Sequence, residues 1–305
     1  MHIQQLLSAA QIAEVCRRDN VRAAAVVLGN IALFIGIFVM VGVWTNVFTV
    51  LLGIILLGGR QLGFAVLVHE CGHGTLFASR KLNEWVGHWL GAAINFEDMN
   101  RYASGHLAHH RLAGTTEDPD LPNYRDYPIT RERLRRKLWR DLSGQTGIKQ
   151  TRALFRALRH FNQQPEPRRR TLARGLLAHG MLLAGLAAAG VGWLYLLWWV
   201  AFLTTFRAVT RLRQVAEHAH VPNLYDADPR RHTRTIVAPW YDRLIFCPLG
   251  VNYHLEHHLL ASVPIYNLPR MHRMLRDAGH YEEVQFPANY LQMLRQVTAH
   301  PAPAA

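Results

Sequence analysis

Eight histidines of this chain occur in three short clusters, and an H-x-x-H-H pattern appears twice. Neutral imidazole is a common ligand of iron, copper and zinc. With 18 histidines among 305 residues, composition alone would produce such a pattern about 0.06 times. The repeated spacing therefore predicts a metal centre. The clustered residues are His69 and His73 in HECGH, His106, His109 and His110 in HLAHH, and His254, His257 and His258 in HLEHH.

The spacing within each cluster suits a helix that presents its histidines to metal. His69 and His73 are four residues apart and would share one helix face, so both can reach a single ion. His106 and His109 form an i, i+3 pair, with His110 one residue further round, which lets one short helix serve two metals, or one metal and a bridging position. The third cluster repeats this geometry. Eight nitrogens exceed the four that a tetrahedral zinc accepts, so two metal ions are predicted.

A ninth ligand is expected from the segment RLRQVAEHAH, which contains His218 and His220. We favour His218 over His220. Gln214, one helical turn before His218, would then lie in or near the set of ligands. The alternative is that both are ordinary histidines at a membrane interface.

Two long segments without charged residues must position these clusters. Asp, Glu, Lys and Arg are all missing between Arg22 and Arg60 and between Arg174 and Arg207, which leaves gaps of 37 and 32 residues. About 20 apolar residues are enough for one membrane-spanning helix. The gaps therefore predict an integral membrane protein. The alternative is a soluble protein with two buried core helices joined by apolar loops.

Each gap contains a plausible reversal of the chain, WTN at 44–46 and GVGW at 190–193. Each gap is therefore predicted to form a helical hairpin. If each were a single span, the third cluster would lie across the membrane from the first two, whereas hairpins bring all three to one side. Arg60 would lie inside the second span, where it must snorkel or pair. The predicted spans are about 22–43, 46–68, 172–190 and 193–213.

The distribution of Lys and Arg indicates which side the clusters face. The long segments carry these residues and the short turns carry none, so the positive-inside rule places the clusters in the cytoplasm. The net charge of +13 is attributed to this orientation and to anionic headgroups, and not to nucleic-acid binding. We predict an all-α fold: one integral membrane domain over 1–305, with a cytoplasmic helical cap at about 69–171 and 214–295 and a disordered tail at 296–305.

Two other functions are weighed against oxidative chemistry. HECGH matches the H-E-x-x-H motif of zinc metalloproteases, with Glu70 as general base, but a protease leaves both H-x-x-H-H clusters unexplained. A metal transporter would need ionisable residues along its spans, and the second gap offers only His179. A histidine-rich two-metal site beneath a membrane instead suits iron and dioxygen chemistry on an apolar substrate, because excluding water prevents side reactions.

Taken together, the motifs resemble the membrane fatty-acid desaturase superfamily. The resemblance rests on HECGH, on HLAHH followed by TTEDPDLP, on AEH, and on NYHLEHHLLASVPIYNLPRMH, and it covers about two-thirds of the chain. It implies four spanning helices, a cytoplasmic di-iron centre ligated mainly by histidine, and O2-dependent desaturation or hydroxylation of lipid chains. The iron ligands that it implies are His69, His73, His106, His109, His110, His218, His254, His257 and His258.

The resemblance also implies residues that would orient the ligand rings. These are Glu70, Asp118, Asn252 and Glu256, and Gln214 joins them because of its spacing from His218. For each acidic residue the alternative is a helix cap or a solvated side chain.

Details of the motifs refine the expected reaction. The first cluster, HECGH, has the spacing H-x-x-x-H, as in acyl-lipid desaturases. The third cluster begins with His254, where front-end desaturases tend to have Gln. The chain lacks the H-P-G-G haem motif, so the resemblance implies a separate electron donor such as a ferredoxin, and an acidic donor would suit the basic surface. Desaturation of a lipid acyl chain is favoured. Hydroxylation or ketolation of a lipid or carotenoid is the alternative.

Overall fold

A computed structural model describes residues 3–298 of the chain. Over that range every regular element is a helix, which confirms the predicted all-α class. The predicted disordered tail lies outside the described residues from position 299 onward, and the last described helix ends at Val297. The α-helices are α1 Ala9–Val15, α2 Asn20–Val43, α3 Val47–His73, α4 Arg80–Val86, α5 Met99–Leu112, α6 Arg131–Leu142, α7 Gln145–Arg159, α8 Glu166–Ala188, α9 Tyr195–Leu203, α10 Thr205–His218, α11 Pro229–His232, α12 Trp240–Ile245, α13 His254–Leu259, α14 Leu268–Asp277 and α15 Tyr290–Val297.

Four helical segments of the described chain are long and apolar enough to cross a membrane, as predicted. They are α2, α3, α8 and the segment Gly192–His218, which contains α9 and α10. Large apolar side chains such as Val39 on α2 and Phe48 on α3 are exposed on the outside of the bundle. A surface of this kind suits contact with lipid, because the backbone polar groups are satisfied within each helix.

Two of these helices extend beyond the predicted membrane spans. The prediction ends the second span at 68 and the fourth at 213, whereas the helices continue to His73 and His218. The sequence stops being apolar at those points, but a helix gains backbone hydrogen bonds with every added turn and need not stop there. The second span ends at Gly74, which adopts the left-handed conformation with φ 67°. Both helices therefore carry histidines beyond their apolar parts.

The fourth span is broken near its middle. Thr204 has φ −120° and ψ −86°, which separates α9 from α10. Its hydroxyl donates to the Val200 carbonyl at 2.5 Å, and the Thr205 hydroxyl donates to the Ile54 carbonyl of α3 at 2.7 Å. Threonine hydroxyls that bond to backbone carbonyls compete with helical hydrogen bonding. Gly58 permits the close approach of α3 at this point, because a Cβ there would lie 2.9 Å from the Phe206 nitrogen.

Arg60 pairs inside the bundle and does not snorkel. Its side chain is 3% exposed and donates to the Leu244 carbonyl at 2.8 Å and to Asn30 Oδ1 at 3.2 Å. Leu244 belongs to α12, so this helix of the cap packs directly against α3. The buried guanidinium is therefore stabilised by hydrogen bonds from two separate elements.

The segment between the first two histidine clusters packs on α3. Residues 82–94 form the end of α4, a π-helix over Gly87–Ala92 and the start of a 3-10 turn. A Cβ at Gly87 would lie 2.7 Å from Cys71 Cβ, so the two elements are in close contact. Cys71 is buried there as a small packing residue.

The basic stretch over 130–161 forms two helices. α6 and α7 are separated at Gly144, which has φ 81°. Arg211 of α10 forms an ion pair with the buried Asp141 of α6. This pair fixes the basic helices against the last span, on the side where the histidine-bearing ends of α3 and α10 lie.

Candidate metal centre

Nine histidines converge in two adjacent groups near the ends of α3 and α10. Within each group the possible ligand atoms all lie within 4.8 Å of one another. Together the groups contain every histidine that the sequence indicated as a ligand. The first group is His69, His73, His106, His110 and His257, and the second is His109, His218, His254 and His258.

Helical periodicity explains how each cluster is divided between the groups. His69 and His73 share one face of α3 and both belong to the first group. On α5, His106 and His110 are one turn apart and join the first group, whereas His109 faces the second. The third cluster divides in the same way, with His257 in the first group and its other two histidines in the second. Each of these short helices therefore contributes to both groups.

His218 occupies the last position of α10, and its ring joins the second group. Its Nε2 lies 2.9 Å from Nε2 of His254. His220 is exposed and lies beyond the end of the helix, at a left-handed φ of 51°. Of the two histidines in RLRQVAEHAH, the structure therefore brings His218 to the site and leaves His220 outside it.

The donor atoms fit metal ions. His110 Nε2 lies 3.0 Å from His106 Nε2 and 2.8 Å from His257 Nε2. Ligands at right angles around an ion, each about 2.1 Å from it, would be separated by about 3 Å. Nε2 of His69, His73 and His258 is also buried without a hydrogen-bond partner among the described residues. Buried nitrogens that face one another in this way are costly unless a cation lies between them.

Acceptors on the outside of the site hold several rings in this orientation. The Nδ1–H of His69 donates to Glu70 at 2.9 Å, and that of His109 donates to Asp118 at 2.8 Å. The Nδ1–H of His218 donates to the backbone carbonyl of His232 at 3.1 Å. Metal-binding histidines characteristically donate their second N–H in this manner, which fixes the tautomer and directs the other nitrogen to the ion.

Asp118 is itself held by several donors. Besides His109 it accepts the Tyr124 hydroxyl and the Asp120 backbone N–H, the latter at 2.9 Å. Burial alone would raise the pKa of Asp118, but the hydrogen bonds from His109 and Tyr124 lower this pKa below its ordinary value. The carboxylate is therefore ionised and suited to orienting a ligand ring.

Glu70 orients the His69 ring, and both of its carboxylate oxygens accept hydrogen bonds. One oxygen accepts from His69, and the other accepts the Thr75 hydroxyl at 3.1 Å and the Ile265 N–H at 3.0 Å. The side chain is 1% exposed. A metalloprotease needs this glutamate as a general base that faces a metal-bound water. The observed contacts do not provide that arrangement.

The other residues expected to orient the rings lie elsewhere. Glu256 accepts from Thr235, His272 and Tyr281, so it joins α13 to its neighbours and bonds to none of the nine rings. Asn252 donates to the Ile236 carbonyl at 2.9 Å, and its buried Oδ1 has no partner within the described chain. Gln214 lines a cavity beside the second group.

Sequence reasoning missed Glu217, although it lies next to a ligand. Its Oε1 is 3.5 Å from His254 Nδ1 and 2.5 Å from Arg213 Nε. The available signal was the pair Glu217-His218, which reverses the order of His69-Glu70 in the first box.

Burial favours the neutral form of five histidines in the two groups. It lowers the pKa of His110 to about 3 and holds the pKa of His106, His254, His257 and His258 well below the ordinary value. Neighbouring histidines lower these pKa values further, because protonated rings would repel one another. Neutral imidazole is the form that binds metal.

Comparison with known proteins assigns the family. The sequence model for the family described as fatty acid desaturase matches residues 42–289, which include all nine histidines. The chain belongs to the fatty acid desaturase family. This fatty acid desaturase family member is also similar to the dihydrorhizobitoxine desaturase of Bradyrhizobium elkanii, with 24% identity over 250 residues, covering 75% of this chain and 68% of the relative. The superfamily resemblance drawn from the histidine boxes is thereby confirmed.

A cavity of about 640 Å³ opens beside the histidines of this desaturase family member. His106, His109, His218 and His254 form part of its wall. Apolar and charged residues line the rest of it. The apolar lining includes Leu62, Phe96, Leu154, Phe202 and Phe206, and the polar lining includes Glu97, Tyr102, Arg207, Thr210 and Arg213. Its volume lies within the range of small-molecule sites, so it is the candidate substrate cavity.

Proposed function

We propose that this chain is a membrane-bound, O2-dependent di-iron desaturase that introduces a double bond into a saturated carbon chain of the lipid acyl class. The observation that carries the proposal is the convergence of nine imidazoles in two groups, five of them buried and four half-buried, with nitrogens directed inward. Nitrogen ligands of this type suit iron. The family match and the desaturase name of the relative support desaturation over hydroxylation.

The two groups would each hold one iron ion, and the bound irons would supply oxygen activation and hydrogen abstraction. The chain's own residues prepare the ligands for this task. Glu70 and Asp118 hold the Nδ1 protons of His69 and His109, so that Nε2 of each ring faces inward. The ligands are thus oriented before a metal binds.

The apolar part of the cavity would position the carbon chain and exclude water. Leu62 and Phe202 belong to spanning helices, so a chain could enter between the helices from the lipid phase. The reaction removes two hydrogens from adjacent carbons and forms the C=C bond. Together with two electrons and two protons from a donor, these hydrogens reduce O2 to two molecules of water.

A separate protein would deliver the electrons from the cytoplasmic side. The basic helices α6 and α7 lie at the same end of the bundle as the histidines, and Asp141–Arg211 attaches α6 to the last span. An acidic donor of the ferredoxin type would be attracted to this surface. The excess of Lys and Arg in the segments that carry the histidines supports the cytoplasmic orientation.

Lipid mass profiling tests the proposed reaction directly. Membranes of cells that express the chain would be compared with those expressing a His258→Ala variant. Loss of two hydrogens from a saturated chain, seen only with the unaltered protein, supports desaturation. A gain of one oxygen would assign hydroxylation instead. Separately, proteolytic activity together with one bound zinc per chain would overturn the proposed di-iron oxidation.

A further inference from the structure

The cavity beside the histidines contains more charge than an acyl chain requires. Four arginines and four carboxylates contribute to its lining, so the formal charges balance. Arg213 and Glu217 neutralise one another within the wall. Arg207 and Glu97 also line the cavity, but neither forms an ion pair within 4.0 Å in the described chain. Separated charges of both signs complement a ligand that also carries one charge of each sign.

Arg207 is arranged as an anion-binding group. Its guanidinium carbon lies 4.3 Å from the ring centroid of Phe202 and 4.9 Å from that of Phe206. Its Nε is buried and has no hydrogen-bond partner among the described residues. A guanidinium stacked on aromatic faces directs its N–H groups outward in its own plane, which is the geometry that binds a carboxylate.

Glu97 offers the complementary charge. Its backbone is fixed by an N–H bond to the Ala92 carbonyl at 2.9 Å, directly after Phe96 with its left-handed φ of 53°. The carboxylate accepts no hydrogen bond from any described residue. Burial raises the pKa of Glu97 to about 7, so an ammonium group bound beside this side chain would favour its ionised form.

Both charges lie away from the metal ligands. Arg207 and His218 are eleven residues apart along the fourth span, which corresponds to about 16 Å of helix. Glu97 precedes α5, and the first residue of that helix lies about 10 Å along its axis from His106. A head group bound near Arg207 and Glu97 would therefore place a carbon far along its chain beside the histidines.

We propose that the substrate is an amphiphile with its own carboxylate and ammonium groups, of the amino-acid type, whose charged head is bound by Arg207 and Glu97 inside the cavity. The proposal rests on the proposed function, because it specifies the molecule whose chain is desaturated. A phospholipid also presents charges of both signs, but its phosphate and amine belong at the membrane surface. The experiment below distinguishes an amino-acid amphiphile from a phospholipid.

The test uses the iron-loaded protein in detergent and four probes. These are 2-aminotetradecanoic acid, tetradecanoic acid, tetradecylamine and phosphatidylcholine, each dispersed in the same detergent. Binding is measured by calorimetry, and products are measured by mass spectrometry with a reduced electron donor. We expect the amino acid to bind about tenfold to hundredfold more tightly than either singly charged probe, since each lacks one charged hydrogen bond, and to lose two hydrogens.

Variants identify the residues responsible. Arg207→Gln should weaken binding of the amino acid and of tetradecanoic acid by about tenfold or more and leave tetradecylamine unaffected. Glu97→Gln should affect the amino acid and the amine but not the acid. Arg152→Gln is the matched control, because Arg152 is exposed on α7 and does not line the cavity. Arg207→Lys, which restores the charge, should recover part of the lost affinity.

The outcomes separate this inference from the proposed function. Equal affinity for the amino acid and the acid, or desaturation of phosphatidylcholine alone, overturns the inference and leaves the desaturase intact. Selective binding of the amino acid with a gain of oxygen supports the inference and overturns desaturation. The comparison of probes on the unaltered protein decides the matter even if a variant fails to fold.

Discussion

Removing the charge of Asp118 should selectively weaken one of the two metal positions. Asp118 accepts the Nδ1–H of His109 at 2.8 Å, and its side chain is 1% exposed. His109 belongs to the second group, whereas no ring of the first group bonds to Asp118. Asp118→Asn keeps the size of the side chain and removes the negative charge. The effect should therefore appear at the second group alone.

The expected magnitude follows from the role of such residues. Loss of a partner that orients a metal-binding histidine lowers metal affinity about 10-fold to 100-fold, which is about 1.4 to 2.7 kcal/mol. The measurement is iron content per chain by mass spectrometry after dialysis against increasing chelator. The variant should lose one iron at a chelator concentration at which the unaltered protein retains two.

A neighbouring carboxylate supplies the control. Asp120 lies 3.9 Å from the same His109 nitrogen, but its side chain is 48% exposed. Asp120→Asn makes an equal change of charge and should retain iron like the unaltered protein, because solvent screens an exposed interaction. If Asp118→Asn also retained both irons, or if both variants lost them equally, the role given to Asp118 would be refuted.

Three further predictions concern the histidines and the cavity. His258→Ala should abolish turnover, whereas His220→Ala should retain it, as measured by product formation; an inactive His220 variant would show that the ninth ligand is misassigned. The metal-free protein should lose stability as pH falls from about 7 to about 5. The pKa values of His106, His110 and His254 in the folded protein lie below the unfolded value of about 6.5, so the unfolded chain binds protons first. A thermal unfolding midpoint that does not change with pH would contradict the burial of these rings. The KM for an amine-bearing substrate should rise as pH falls below about 7, where Glu97 takes up a proton. Glu97→Gln should remove this pH dependence of KM. If KM still changed with pH in the variant, the titration would belong to another group.

Local spacing was enough to predict much of the site. Histidines three or four residues apart must share or adjoin a helix face, so periodicity accounts for the division of HLAHH between the two groups of histidines. The two uncharged gaps likewise predicted four spans, since hairpins alone bring every cluster to one side. Both inferences depend on residues that are close in sequence.

Features that depend on distant partners could not be predicted in this way. Arg60 finds the Leu244 carbonyl, which is supplied by a cap helix far along the chain. Glu217 lies beside His254, which belongs to another element. The one-turn spacing from His218 that suggested Gln214 therefore gave no indication of the contact between Glu217 and His254.

The central claim is that the two groups of imidazoles hold two iron ions in one site. The most direct measurement is the metal content of the purified protein, combined with Mössbauer spectroscopy of a sample loaded with iron-57. The account predicts two irons per chain, both in nitrogen-rich environments. A single ion per chain, or zinc in place of iron, would contradict it.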